Sequence, residues 1–282
     1  MEPRFVAANG LRFGYLSSGN DAAPLVLLAH GFPDTAHTWD AALPALAAAG
    51  LRAVAPFSRG YAPTEIPPDG RYDIDTLGRD LLALVDAFGA ERAILVGHDW
   101  GAIATYAAAA LAPTRVRLAV TFAIPHPASV RPTPRLLWQM RHAIALRLPG
   151  AAARFRAGDF ARVDTLWRRW SPAWADLPAA ETAPVKEALR APGVVEAALA
   201  YYRGFGRLPP SLRQPITVPT IAFAGEHDLI APEAYERARP LFTGGYEVIR
   251  VPGGHFMHRE RPDVVIPALV DAVVRAVRGA AA

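Results

Sequence analysis

Short unbroken apolar runs alternate along the chain with longer stretches whose apolar residues recur every three or four positions. That rhythm predicts strands and helices in turn. Residues 25–29 (Leu-Val-Leu-Leu-Ala) are apolar throughout, as a strand buried on both faces requires, and the run stops at His30-Gly31. Residues 51–56, 93–96 and 116–122 repeat the pattern. Between them 39–49, 74–88 and 101–111 read as helices. Asp73 and Asp75 suit the start of the second as hydrogen-bond acceptors, and Gly89 suits its end. Ahead of these, 5–7 and 11–15 read as a hairpin joined through Asn9-Gly10. Strand–helix alternation of this kind predicts an α/β fold, a mostly parallel sheet covered on both faces.

From residue 126 the pattern changes. Residues 126–214 hold four of the six tryptophans and many prolines but no convincing strand, and 136–148, 159–170 and 194–205 have helical spacing. After Pro215 the alternation resumes, with strands at 220–224 and 247–251 and helices at 232–241 and 262–278. The expected organisation is a core (1–125), a helical insertion (126–214) and the rest of the core (215–282). No internal repeat is present.

Composition narrows the chemistry. At 282 residues with 52% apolar, the chain is neither disordered nor too short for a sizeable core. The absence of cysteine excludes disulfides, thiolate zinc sites, iron–sulfur clusters and a Cys nucleophile. No apolar run reaches the roughly 18 residues of a membrane span, and MEPRFVAANG has no export-signal pattern. A soluble, cytoplasmic protein is expected.

Three segments carry chemistry. Gly97-His98-Asp99-Trp100-Gly101 lies between a strand and a helix, where a nucleophile sits on a sharp turn relieved by glycines and faces a helix N-terminus. The residue at its centre is Asp99, a carboxylate suited to displacement at saturated carbon through an alkyl ester. Asp228, in Gly-Glu-His-Asp, and His255, in Pro-Gly-Gly-His-Phe, follow the next two strands. Nucleophile, acid and histidine thus occur in the chain order of the α/β-hydrolase fold. His255 would activate water, and Asp228 would set its tautomer. The backbone N–H groups of Phe32, in His30-Gly-Phe-Pro, and of Trp100 would form an oxyanion hole. Alone, each segment also reads as an ordinary loop or helix cap; together and in order they do not.

The segments HGFPDTAHTW, GHDWGA, GEHDLI and GGHFMHRERP resemble the epoxide hydrolase and haloalkane dehalogenase branch of the α/β-hydrolase superfamily. The resemblance implies an eight-stranded, mostly parallel sheet with helices on both faces. It also implies a helical cap inserted after the sixth core strand, near Pro125-His126-Pro127. Epoxide opening in that branch uses two cap tyrosines as acids. Tyr202 matches the second, but His142 stands where the first is usual, with Tyr201 or Trp138 to support it. His30, Trp138, Tyr201 and Phe256 are expected to contact substrate. For a dehalogenase, Trp100 matches one halide donor, but Phe32 stands where an Asn is common, leaving Trp138, Trp167, Trp170 or Trp174 as the second. Fluoroacetate dehalogenases carry arginines where this chain has Trp100 and Ile103.

The resemblance therefore favours an epoxide hydrolase for apolar or aromatic epoxides, with a haloalkane dehalogenase second and a non-catalytic ligand-binding relative third. No metal or organic cofactor is implied. The expected partners are water and a small-molecule substrate, without nucleic acid or membrane; a homodimer is compatible with the sequence. The pI near 9.7 comes from the insertion alone. Residues 126–214 carry 14 basic and 6 acidic side chains, against 16 and 20 in the remainder. These arginines fit a solvated outer face, and would favour anionic epoxides only where they line the entrance.

Overall fold

The computed structural model describes residues 1–174, 176–204 and 206–279, with Arg135 by its backbone alone. Its centre is one eight-stranded sheet of β1 (Arg4–Ala8), β2 (Leu11–Ser18), β3 (Leu25–Ala29), β4 (Arg52–Pro56), β5 (Ala93–His98), β6 (Val116–Phe122), β7 (Thr220–Gly225) and β8 (Tyr246–Val251). The spatial order is β1-β2-β4-β3-β5-β6-β7-β8. The first two strands run antiparallel to their neighbours and all later pairs are parallel. Asn9 and Gly10 both have positive φ, the geometry that turns the hairpin between β1 and β2. β3, β5 and β7 are buried along their whole length, which explains their unbroken apolar runs.

Strand order reverses between β3 and β5, because β4 leaves β3 on one side and β5 joins it on the other. At such a point the loops after the two strands diverge and leave a crevice beyond their carboxyl ends. The loops that open there are His30-Gly31-Phe32 and the turn at Asp99.

Most helices fall where the periodicity predicts. Ile74–Ala87 begins where the Asp73 side chain accepts the Thr76 N–H at 3.0 Å. The 39–49 stretch is instead a short 3-10 turn, Ala36–Trp39, followed by Ala42–Ala48. Likewise 232–241 yields Glu233–Ala238 and then a 3-10 turn, Arg239–Leu241.

Only helical elements lie between β6 and β7. The 136–148 pattern splits at Met140 into Pro134–Gln139 and Arg141–Ala145. Ala151–Trp170 is broken at 157–160, where Gly158, Asp159 and Phe160 all have positive φ. Ala179–Arg190 was hidden in the sequence by the interior Pro184. Asp164 holds it from outside, accepting from Thr182 and Lys186, both at 2.6 Å. Val194–Ala200 passes into a 3-10 turn, Tyr201–Gly204; Phe205, the predicted end of that helix, lies outside the described residues. Among the described residues no helix is long and apolar enough to cross a membrane.

Candidate active site

Asp99 sits at the N-terminus of the helix Trp100–Leu111 with φ 51° and ψ −116°, a conformation that costs a non-glycine residue roughly 1–3 kcal/mol. Its neighbours make the turn feasible. A Cβ on Gly97 would overlap the Gly101 carbonyl, and one on Gly101 would overlap the Ala29 carbonyl. The side chain makes no capping bond to its own helix. It points across to the β3 loop, where the Phe32 N–H donates to Asp99 Oδ1 at 2.9 Å. Gly31 lies so close that any Cβ there would overlap the Asp99 side chain. Gly31→Ala is therefore expected to displace the carboxylate. A shift of about 1 Å costs on the order of 10²-fold in rate, which steady-state kinetics alongside a melting curve will measure.

His255 stands on the other side. Its Nε2 is 3.4 Å from Asp99 Oδ2, and its Nδ1 is 2.9 Å from Asp228 Oδ1, with imidazole and both carboxylates nearly or fully buried. The Leu229 N–H also donates to that Asp228 oxygen, at 2.5 Å. Burial alone would lower the His255 pKa, but Asp228 and then Asp99 outweigh it and push it up to about 10. Burial likewise opposes ionisation of Asp99, yet His255, His98 and the Phe32 N–H hold its carboxyl below the ordinary range. For Asp228 burial wins, and its carboxyl is raised. The two carboxyl groups flank His255 on opposite sides, and both favour its protonated form.

This has a consequence for stability. The folded His255 pKa exceeds the unfolded value, so its contribution is complete below about pH 6.5 and is lost as pH rises through about 10. The melting temperature of the protein is expected to fall over that window relative to His255→Gln; parallel curves would remove the ion pair from the resting site.

The helical insertion holds the His255 loop directly. The His255 N–H donates to the Trp170 carbonyl at 2.8 Å, and the Phe256 N–H to Ser171 Oγ at 3.1 Å. A Cβ on Gly254 would strike Ser171, which is why the loop needs glycine there.

Tyr202 is buried in the same chamber, its ring 5.1 Å from Phe32 and 5.4 Å from Trp100. Burial, reinforced by the Asp99 charge, raises its pKa well above the usual phenol range, while a hydrogen bond from the Trp100 side chain acts the other way. An indole only donates, so Tyr202 accepts that bond. His142 lies behind, with ring centroids 6.0 Å apart. Burial lowers its pKa to about 4, and its Nδ1 is 3.2 Å from the Gln139 carbonyl oxygen. The neutral ring must donate there, which leaves Nε2 as an acceptor. His142 thus does not offer the proton expected of it.

Four residues expected to contact substrate are otherwise engaged. His30 has both ring nitrogens bonded to backbone, Nδ1 to the Gly31 carbonyl and Nε2 to the Ser58 N–H, each at 2.9 Å. It ties the β3 and β4 loops together. The Tyr201 hydroxyl donates to the Arg59 carbonyl at 2.8 Å, and Arg59 is itself clamped by buried Asp80. Trp138 is 67% exposed, under the Arg141 guanidinium. Phe256 is wholly buried, stacked on Trp167 at 3.9 Å behind His255.

Asp34 and His258, both inside the quoted motifs, are site neighbours that the sequence reading does not single out, and they join His98. Asp34, His98 and His258 are buried, and each contributes one polar atom to a cluster within 4.8 Å, a group of metal-ligating type. Asp34 Oδ2 and the Nδ1 atoms of both histidines have no hydrogen-bond partner. The other nitrogen of His98 donates to the His255 carbonyl at 3.0 Å, so the cluster backs directly onto the catalytic loop. Burial pushes the Asp34 carboxyl up to about 7. Position alone, one residue past His30-Gly-Phe-Pro and three past His255, was the available signal.

Beside Trp100 a cavity of about 370 Å³ separates the sheet from the insertion. Ile103, Ile124 and Ile230 form its floor and Leu137, Met140 and Leu208 its roof.

With that geometry in hand, comparison with known proteins is informative. The sequence model of the family described as alpha/beta hydrolase fold matches residues 24–262. Epoxide hydrolase A of Mycobacterium tuberculosis is 30% identical over 95% of this chain and 96% of its own length. The AB hydrolase superfamily protein YfhM of Bacillus subtilis is 31% identical over 93% and 94%. The crystal structure of epoxide hydrolase A from Mycobacterium thermoresistibile is similar at a TM-score of 0.79 and 29% identity, covering 96% of this chain and 97% of that one.

Proposed function

Since the chain belongs to the α/β-hydrolase fold family and is a hydrolase, we propose that it opens apolar or aromatic epoxides to diols through an ester on Asp99. The observation that carries this reading is the buried, neutral Tyr202, held by Trp100 beside the carboxylate of Asp99. The names of the relatives point the same way.

In the first step a carboxylate oxygen of Asp99 attacks an epoxide carbon. The ring C–O bond breaks, and the departing alkoxide takes the Tyr202 proton. Esterification removes the Asp99 charge, one of the two that keep His255 protonated. The imidazolium then gives up its proton more readily, returning it to the Tyr202 phenolate left by the first step, and the neutral ring becomes a base only after the ester exists. In the second step His255, oriented by Asp228, takes a proton from water as the water oxygen attacks the ester carbonyl. The tetrahedral oxyanion is stabilised by the Phe32 N–H. On collapse the ester C–O bond breaks, His255 gives its proton to the leaving oxygen to release the diol, and the Asp99 carboxyl passes its own proton to His255, which restores the starting pair.

A haloalkane reading would require a second N–H donor for halide. Trp138 is exposed and Trp167 donates to the Pro33 carbonyl at 2.9 Å, which leaves the buried Trp170 Nε1–H, without a hydrogen-bond partner among the described residues and with its ring 5.2 Å from His255, as the donor such a reading would use. The Trp100 indole is already directed to Tyr202. Assay against styrene-type epoxides and brominated alkanes tests the choice. Diol release without bromide release is expected; bromide release alone would replace this reading with the haloalkane one.

A further inference from the structure

The acidic and basic residues of the insertion are not mixed. All six of its acids lie between Asp159 and Glu196, while 126–158 and 197–214 carry nine arginines and no carboxylate. Five of those acids are paired: Asp159 and Glu187 with Arg190, Asp164 with Lys186, Glu181 with Arg259, and Glu196 with Arg156. The surplus positive charge therefore belongs to the two acid-free segments, and these are the segments that roof the apolar cavity beside Trp100.

Among the described residues Arg207 is the one charged side chain lining that cavity, and it is exposed at the rim. Arg131 is exposed too, between the lining residues Val130 and Pro132. Neither forms an ion pair among the described residues, whereas Arg213 donates to the Leu208 carbonyl and Arg141 to that of Trp138. Asp73 and Asp75 flank the lining residue Ile74, but Asp73 is engaged at the start of its helix by Thr76 and Asp75 accepts from Ser211, so the cation on the lining itself is Arg207, whose field the low-dielectric walls focus on an entering ligand. The chamber matches a molecule with an apolar body and an anionic end.

We propose that Arg207 forms an anion subsite at the mouth of the cavity, so that the preferred substrates are epoxides whose apolar body ends in a carboxylate. This rests on the epoxide-hydrolase reading for its chemistry but not for its binding. The cavity takes the alkyl or aryl body, its wall includes Trp100, the residue that follows Asp99 in the chain, and Arg207 pairs with the carboxylate. An arginine stem covering apolar surface would bind acid and neutral analogue alike, and this distinguishes it from an anion subsite.

The test has two arms. Calorimetry compares phenylbutyric acid with phenylbutanol, and kinetics compares carboxystyrene oxide with its methyl ester. At low salt the acid is expected to bind about 5-fold tighter than the alcohol, the scale of one exposed ion pair. The same ratio is expected in kcat/KM for the acid over the ester. Both preferences should collapse at high salt and invert in Arg207→Glu. Ratios taken within one preparation are insensitive to the amount of folded enzyme. Equal affinities in the natural protein, or a preference that Arg207→Glu leaves intact, would overturn the subsite. If neither epoxide is hydrolysed the catalytic reading fails, and the binding ratio still decides the subsite.

Discussion

Incubated with excess styrene-type epoxide, the His255→Gln variant is expected to gain the mass of one epoxide on the peptide carrying Asp99 and to release almost no diol. Asp99 keeps its strained turn and its bond from the Phe32 N–H in this variant, because neither depends on His255. Attack therefore still occurs. What is lost is the imidazole placed between Asp99 and Asp228 to take a proton from water beside the ester, its Nδ1 2.9 Å from Asp228 Oδ1. Loss of the base should slow turnover by about 10⁴-fold or more, the scale seen when a member of a cooperating catalytic group is removed. The companion variant Asp99→Ala should be equally inactive and take up no label. Peptide mass spectrometry separates the two. An adduct at another residue, or none with any epoxide or alkyl halide, would remove Asp99 from the role of nucleophile.

Tyr202→Phe carries the second largest effect. The variant keeps the ring packed against Phe32 and Trp100 and deletes only the hydroxyl. The alkoxide would then leave without its acid, and alkylation should slow by about 10²–10⁴-fold. Ester hydrolysis uses His255 and Asp228 and should keep its rate. Rapid-quench measurement of both steps distinguishes this from a general disturbance of the site, which would slow them together. An unchanged alkylation rate would transfer the acid role to another group; His142 is a poor replacement, since its Nδ1–H is bonded to the Gln139 carbonyl.

The strands, the long helices and the sharp turn at Asp99 were legible because local physics decides them. β3 is apolar throughout, and β5 up to Val96, since both faces are covered, and Asp73 and Gly89 mark the ends of a helix by their own capping preferences. The helix Ala179–Arg190 was illegible for the converse reason. Pro184 opposes it locally, and its support comes from Asp164 on another element. The 136–148 stretch has helical spacing throughout but breaks at Met140, a feature the apolar pattern does not encode.

The same division runs through the site. The chain order of Asp99, Asp228 and His255 and the glycines around them were readable in the sequence, because the turn cannot form with larger residues at Gly97 or Gly101. The duties of His30, Tyr201 and His142 were not, since they depend on the carbonyls of Gly31, Arg59 and Gln139 and on the Ser58 N–H. Such backbone groups look identical in every sequence and gain direction only when the fold places them. Charge behaves likewise. The sequence by itself determined that the basic surplus lies in the insertion; only the tertiary structure decided that Arg207, among the described arginines, lines the cavity beside Trp100. A net charge is a sum over the chain, whereas its effect on a ligand depends on distance and on how much water lies between.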